Sequence, residues 1–209
     1  MKRIFLVVAS AFIFCGKFYD VYAFGQTLTV AIGAPVPSGW AIIRVLPTSR
    51  QWIIEDLNGG SFLAQVEVIN GSPVPSGWAI KSILASNSDW MLVNLNGGPF
   101  GAQVQTINGS PVPSGWAIKT VLANSGRDWI LIDLNGGSFL AQVEVINGSP
   151  VPSGWAIKTV LASNNDWILV DLNGGSPGTT VQVINGSPVP TGWVVTQVLA
   201  NGQWVLTKS

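Results

Sequence analysis

The apolar residues of this chain fall in short runs of β-forming residues, separated by clusters of glycine, proline, asparagine and serine. Residues 116–122 and 129–134 are two such runs, and residues 140–146 alternate between apolar and polar positions. Runs of this length and composition are typical of β-strands. The pattern predicts an all-β fold with three short strands in each stretch of this kind.

The same stretch recurs five times along the chain, with units that start near residues 33, 71, 109, 148 and 186. A second tryptophan follows the first in every unit, so all ten tryptophans belong to the repeat. The first set ends the phrase PVPSGW, or PVPTGW in the last unit, and consists of Trp40, Trp78, Trp116, Trp155 and Trp193. The second set consists of Trp52, Trp90, Trp129, Trp167 and Trp204. A repeat of 38 or 39 residues predicts stacked supersecondary units rather than one irregular core.

Turn residues predict how the strands connect. Asn135-Gly136 of the phrase LNGG favours the positive φ angles of a tight turn, which predicts a hairpin between the second and third strands. The proline-rich phrase NGSPVPSG predicts an extended segment that crosses back, and it could form a short fourth strand at the sheet edge. Because Trp129 and Leu131 face one side and Ile130 and Ile132 the other, both faces of the sheet should be covered.

The ends of the chain suggest closure of the repeat. Residues 28–32 (LTVAI) have the pattern of a third strand, whereas the last unit stops after its second strand near Thr207. We therefore expect the N-terminal strand to complete the last unit, giving a ring, most simply a five-bladed β-propeller with short three- to four-stranded blades. Another closed β architecture stays open as an alternative, and an open solenoid would more naturally carry polar caps. In unit count and predicted closure this layout resembles the five-bladed propeller lectins of the tachylectin type, a resemblance that covers architecture alone.

Residues 1–23 have the pattern of a secretion signal. Lys2 and Arg3 precede an apolar run, and Val21-Tyr22-Ala23 is typical of a cleavage site. The run is shorter than the roughly 20 residues that cross a bilayer, which disfavours the alternative of a membrane anchor. We expect a single repeat domain over residues 24–209, without a membrane span after signal removal, in a secreted, periplasmic or cell-surface protein.

Composition narrows the chemistry. Charged residues make up 10% of the chain, the formal net charge is zero and histidine is absent, which argues against a nucleic-acid partner. The one cysteine, Cys15, lies within the predicted signal. Triad, thiol and zinc chemistry therefore lack their usual residues, so we expect no catalytic residue, no metal site and no cofactor.

The repeat also suggests a ligand site. Each first-set tryptophan is predicted to lie near the position before LNGG, which holds a carboxylate or amide, and in the last unit this position is predicted to be Thr207. An indole plate beside polar groups is what a sugar site uses. The candidate ligand-binding residues are Trp40, Trp78, Trp116, Trp155, Trp193, Asp56, Asn94, Asp133 and Asp171. The competing interpretation is that these tryptophans pack between sheets and that the asparagines of LNGG serve the turn.

These observations favour a secreted, multivalent, lectin-like protein that binds glycans at up to five sites, and that is not an enzyme. The alternatives are a structural or protein-binding surface protein and, third, a carbohydrate-active enzyme that uses Glu55, Glu67 or Glu144. The sequence leaves the oligomeric state open.

Overall fold

The computed structural model describes residues 24–123 and 126–209, so the predicted signal, residues 1–23, lies outside the described residues. The described chain is all β and contains no helix. In chain order the strands are β1 (Thr27–Ala31), β2 (Trp40–Leu46), β3 (Gln51–Asp56), β4 (Gln65–Val68), β5 (Trp78–Ile83), β6 (Trp90–Asn94), β7 (Gln103–Thr106), β8 (Trp116–Val121), β9 (Trp129–Asp133), β10 (Gln142–Val145), β11 (Trp155–Val160), β12 (Trp167–Asp171), β13 (Thr180–Val183), β14 (Trp193–Val198) and β15 (Trp204–Lys208).

Each consecutive triplet of strands forms one antiparallel sheet, which we number 1 to 5 along the chain. The last strand of each triplet lies in the centre, so the order in sheet 1 is β1-β3-β2 and the other four sheets repeat it. The prediction of an all-β chain with five repeated sheets is confirmed. The two tryptophans of a unit lie at opposite ends of their sheet, since Trp155 pairs with Asp171 while Trp167 pairs with Val160. This placement follows from two neighbouring antiparallel strands that each begin with a tryptophan.

The predicted LNGG hairpin is wrong. β3 and β4 flank residues 57–64 but belong to different sheets, so this loop carries the chain from one sheet to the next. The turn residues serve the end of the strand: Asp56 Oδ1 accepts hydrogen bonds from the backbone N–H and the side-chain amide of Asn58. Gly59 then adopts φ +74°, which a glycine accommodates without steric cost.

Closure by the N-terminal strand is also wrong. β1 pairs with β3 in sheet 1, with Val30 opposite Trp52, and β13 occupies the corresponding place in sheet 5. The folding unit therefore begins with the strand that was predicted to be the third of each unit. The described residues therefore form five complete sheets, with no strand exchanged between them. The proline-rich segment adds no fourth strand to these sheets.

Consecutive sheets meet at joints with the same hydrogen bonds. At the first joint the N–H of Ile42 donates to Ser72 Oγ over 2.8 Å, and the N–H of Ile69 donates to the Ile42 carbonyl over 3.0 Å. The three later joints repeat both bonds, with serines Ser110, Ser149 and Ser187. A β-bulge one residue after Ile42, at Ile43, recurs in all five sheets and bends this strand next to the joint.

The hydrophobic core lies between sheets rather than at one centre. At the first joint, Ala41 and Leu57 of sheet 1 pack with Val68, Trp78 and Leu92 of sheet 2. Equivalent clusters fill the other three joints. Contacts between strands of different sheets occur only between consecutive sheets in the described chain, and β1 and β14 share none. The five sheets therefore form an open row in which β1 and β14 lie at the two ends.

Candidate functional site

Eight of the nine residues predicted to bind a ligand lie in four pairs, each pair within one sheet. Trp40, Trp78, Trp116 and Trp155 lie directly across the sheet from Asp56, Asn94, Asp133 and Asp171 respectively. In sheet 5 the residue across from Trp193 is Lys208, which corrects the earlier assignment of Thr207 to this position. The Lys208 ammonium group lies 5.9 Å from the Trp193 ring centroid, within range of a cation–π interaction.

All nine residues of this set are buried in the folded chain. The five first-set tryptophans are at most 4% exposed, and the four carboxylate or amide residues at most 1%. Four of the indoles stack on phenylalanines of the preceding sheet, in the pairs Phe24–Trp78, Phe62–Trp116, Phe100–Trp155 and Phe139–Trp193. The indole N–H groups of Trp116, Trp155 and Trp193 donate to carbonyls of the preceding sheet. These tryptophans hold sheets together and present no ring face to solvent; we call this end of the sheets the packed end.

The carboxylates of the packed end differ from the amide that replaces them in sheet 2. Asn94 Nδ2 donates to the carbonyls of Gly60 and Ser61, over 2.6 and 3.2 Å. Asp133 Oδ2 occupies the equivalent place beside Gly98 but is buried without a hydrogen-bond partner. Burial raises the pKa of Asp133 and of Asp171, against the lowering effect of their bonds to Asn135 and Asn173. This position suits a hydrogen-bond donor, which a protonated aspartic acid supplies and a carboxylate does not.

The opposite end of the sheets is open. A groove of about 650 Å³ lies between sheets 1 and 2. Its walls combine apolar, acidic, basic and amide side chains: Ile43, Arg44, Val45, Glu55, Gln65, Val66, Glu67, Ile69, Asn87 and Asp89. Burial raises the pKa of Glu55 within this groove. We call this side of the molecule the groove end.

A second groove, of about 620 Å³, lies between sheets 2 and 3 and uses equivalent repeat positions. It is lined by Lys81, Ser82, Ile83, Gln105, Ile107, Gly126 and Asp128. Gln105 takes the place of Glu67 and donates to Asp128 Oδ2 over 3.0 Å. The two grooves have similar volumes but differ in charge. Glu55, Glu67, Asp89 and Arg44 line the first groove, whereas Lys81 and Asp128 are the charged residues that line the second.

A small polar network occurs at the groove end of sheet 2 and again at that of sheet 4. Asn87 Nδ2 donates to Glu67 Oε1 over 3.0 Å and to Asp89 Oδ2 over 2.9 Å. Asn164 Nδ2 repeats these bonds with Glu144 Oε1 and Asp166 Oδ2, over 3.4 and 2.8 Å. The second-set tryptophans begin the strands that follow these loops and are all half-buried. Accessible carboxylate, amide and indole groups therefore concentrate at the groove end.

Sequence reasoning considered Glu67 and Glu144 only as candidate catalytic residues and missed the aspartates of these grooves. Their signal was present, since Asp89, Asp128 and Asp166 each directly precede a second-set tryptophan. Their approach to the glutamates depends on how the loop folds back over the first strand of the same sheet.

No cluster of three or more metal-ligating side chains occurs in residues 24–123 and 126–209. Within the same ranges, no helix has the length and hydropathy needed to cross a membrane. Comparison of the chain with protein-family models, with curated proteins and with solved structures gives no match.

Proposed function

We propose that this protein is a secreted, non-catalytic, multivalent glycan-binding protein whose sites are the grooves between consecutive sheets. The observation that carries the proposal is that two grooves of nearly equal volume are formed from equivalent positions of the repeat. Five sheets in an open row have four joints, so the expected number of sites is four rather than five.

The chemistry of the groove end suits sugar hydroxyls. A hydroxyl both donates and accepts, and the bridged arrangement of Glu67, Asn87 and Asp89 offers acceptors on each side of an amide. The side chains of Val45 and Ile69 supply an apolar surface for the C–H face of a ring. Four weak sites on one chain raise the avidity by roughly 10² to 10⁴ over the affinity of one site, which would be the functional advantage of the repeat.

A titration of the purified protein with glycans first identified on an array tests this proposal, with tryptophan fluorescence as the readout. Asn87→Ala is expected to weaken binding in the first groove by about 5- to 100-fold, the cost of about 1–3 kcal/mol for a lost partner in a polar site. Ser49→Ala is the matched control, because Ser49 occupies the same loop position in sheet 1. No sheet precedes sheet 1, so this loop lines no groove between sheets. Equal loss in both variants, or no glycan bound at all, would contradict the proposal.

We further propose that the five sheets are arranged around one axis like the blades of a propeller, with the first and last sheets left apart. The support is that all four joints repeat the same two hydrogen bonds, so each sheet is rotated against its neighbour in the same way. Small-angle scattering on the monomer tests this, since a compact chain of this length has a radius of gyration of about 17 Å and a straight row is larger.

The first groove alone carries an observation that favours the carbohydrate-active enzyme. Glu55, whose pKa is raised by burial, lines the same groove as Glu67 and Asp89. A carboxyl with a raised pKa beside other carboxylates is the combination that glycoside hydrolysis uses. Product formation that Glu55→Gln abolishes while leaving glycan binding unchanged would favour the enzyme over the binding protein.

A further inference from the structure

The joint between consecutive sheets has two halves, and at each end of the row the described residues leave one half uncovered. One half is the outer edge of the second strand of a sheet, where Ile42 offers its N–H and carbonyl to the next sheet. The other is the end of the first strand of the following sheet, where Ile69 donates and Ser72 accepts. β14 carries the first half at the C-terminal end of the row, and β1 carries the second half at the N-terminal end.

The C-terminal half is preformed and apolar. Val195 occupies the position of Ile157, and the same bulge follows both residues. Ile157 is 5% exposed beneath the next sheet, whereas Val195 is 41% exposed. Val194 is 49% exposed where its counterpart Ala156 is fully buried. Two adjacent valines and one edge of β14 backbone are therefore left without the cover that every earlier sheet has.

The N-terminal half is equally preformed. By register Ala31 occupies the position of Ile69, and Ala34 that of Ser72. The turn between them is the same, since the N–H of Ala34 donates to the Ala31 carbonyl over 3.0 Å, as the N–H of Ser72 does to Ile69. Leu28 and Ile32 are 42% and 47% exposed on this side.

We propose that these two ends bind each other between copies of the chain, so that β14 of one molecule docks on β1 of the next. The Val195 carbonyl would accept from the Ala31 N–H of the second copy, as Ile42 accepts from Ile69 at the first joint. The contact continues an interface that the chain already makes four times. It joins two different surfaces, so it propagates in one direction and forms open chains rather than stopping at a dimer.

Two substitutions make this joint weaker than the internal ones. Ala34 lacks the hydroxyl that accepts the N–H of the preceding sheet, and Val194 is larger than the fully buried alanine at its position. A missing acceptor and an overpacked contact both oppose association. The association is therefore concentration-dependent, and restoring the internal residues should strengthen it. The double variant Val194→Ala, Ala34→Ser is expected to lower the dissociation constant by about tenfold or more.

Disulfide trapping tests the geometry directly. In a Cys15→Ser background, Ala34→Cys and Val195→Cys place two thiols where Ser72 and Ile42 meet at the internal joint. Mild oxidation of the full-length double variant should give a ladder of dimers, trimers and longer chains. The two single variants should form dimers when mixed, and far fewer when each is oxidised alone.

Three results would overturn the proposal. A fast-migrating monomer with an internal disulfide would mean that the ends meet within one chain and close a ring. Efficient dimers of Val195→Cys alone would mean that β14 pairs with β14 of a second copy. The absence of any cross-linked species at high protein concentration would mean that the ends do not meet.

Sedimentation velocity provides a second measurement with a matched control. Val195→Lys should abolish the concentration-dependent increase in sedimentation coefficient, because a charged edge residue opposes strand-edge association. Val198→Lys should leave that increase unchanged, since Val198 occupies a position that is exposed in all five sheets. Equal loss in both variants, or a wild-type protein that stays monomeric at every concentration, would contradict the proposal.

Discussion

The packed end and the groove end each contain five tryptophans, but the two sets have different environments. First-set indoles stack on phenylalanine rings and donate hydrogen bonds through their N–H groups to carbonyls of the preceding sheet. Second-set indoles are half-buried, beside loops whose carboxylate and amide groups face solvent. A residue that recurs in every unit can therefore serve folding alone. The solvent accessibility of the side chains distinguishes the end that a ligand could reach.

Stability should separate the two ends most strongly. Trp116→Ala removes an indole that is 1% exposed and its stack on Phe62, so it should cost about 3–5 kcal/mol of the free energy of unfolding. Trp129→Ala, in the same sheet, should cost about 1–2 kcal/mol because that side chain is half-buried. Urea unfolding of both variants measures the difference, and equal losses would remove the distinction between the ends.

The serine of the joint should have the next largest effect. Ser110→Ala leaves the buried N–H of Ile80 without its acceptor, at a cost of about 1–3 kcal/mol. Ser114→Ala is the control, since Ser114 lies in the same proline-rich segment and makes no joint hydrogen bond among those of the described chain. Hydrogen exchange at the Ile80 amide should speed up in the first variant alone. Unchanged stability and exchange in Ser110→Ala would show that the joint does not depend on this bond.

The acids of the packed end should make stability depend on pH. The pKa of Asp133 is raised in the folded chain, so its protonated form contributes stability that is present below the unfolded pKa of about 3.9 and is lost as pH rises through the folded value. Asp133→Asn should therefore be more stable than the parent at neutral pH, by about 1 kcal/mol, because the amide donates as Asn94 does. The difference should shrink in acid, where both side chains donate.

Unfolding curves of the Asp133→Asn variant and its parent, collected from pH 3 to 8, measure this. The matched control is Asp166→Asn, which changes a half-buried carboxylate at the groove end. A stability difference for Asp133→Asn that stays constant over this range, or grows toward acid, would contradict a raised pKa of Asp133 in the folded chain.

The strands and the opposite placement of the two tryptophans could be predicted from the sequence, because β-forming runs and turn residues act locally. The assignment of strands to sheets could not. A repeat is cyclic, so the phrase around Gln142–Val145 can be taken as the end of one unit or the start of the next, and the Asn-Gly turn favoured the wrong choice. Only the pairing of β1 with β3 decides between them.

The burial of the candidate site could not be predicted for a related reason. Trp116 and Asp133 are adjacent in the sheet, as their spacing implied, but their burial depends on Phe62 of another sheet. The grooves likewise form only where two sheets meet, with Glu67 and Arg44 contributed by different sheets. Contacts between sheets produce no recognisable residue spacing in a single sequence. Neither the burial of Trp116 and Asp133 nor the grooves could therefore be derived from the sequence.

Oxidative footprinting of the tryptophans tests the difference between the two ends most directly. A short exposure of the folded protein to hydroxyl radicals, followed by tandem mass spectrometry, gives an oxidation rate for each indole. We predict that Trp52, Trp90, Trp129, Trp167 and Trp204 oxidise several-fold faster than Trp78, Trp116, Trp155 and Trp193, and that unfolding in urea removes the difference. Equal rates in the folded protein, or faster oxidation of Trp116 than of Trp129, would contradict the account.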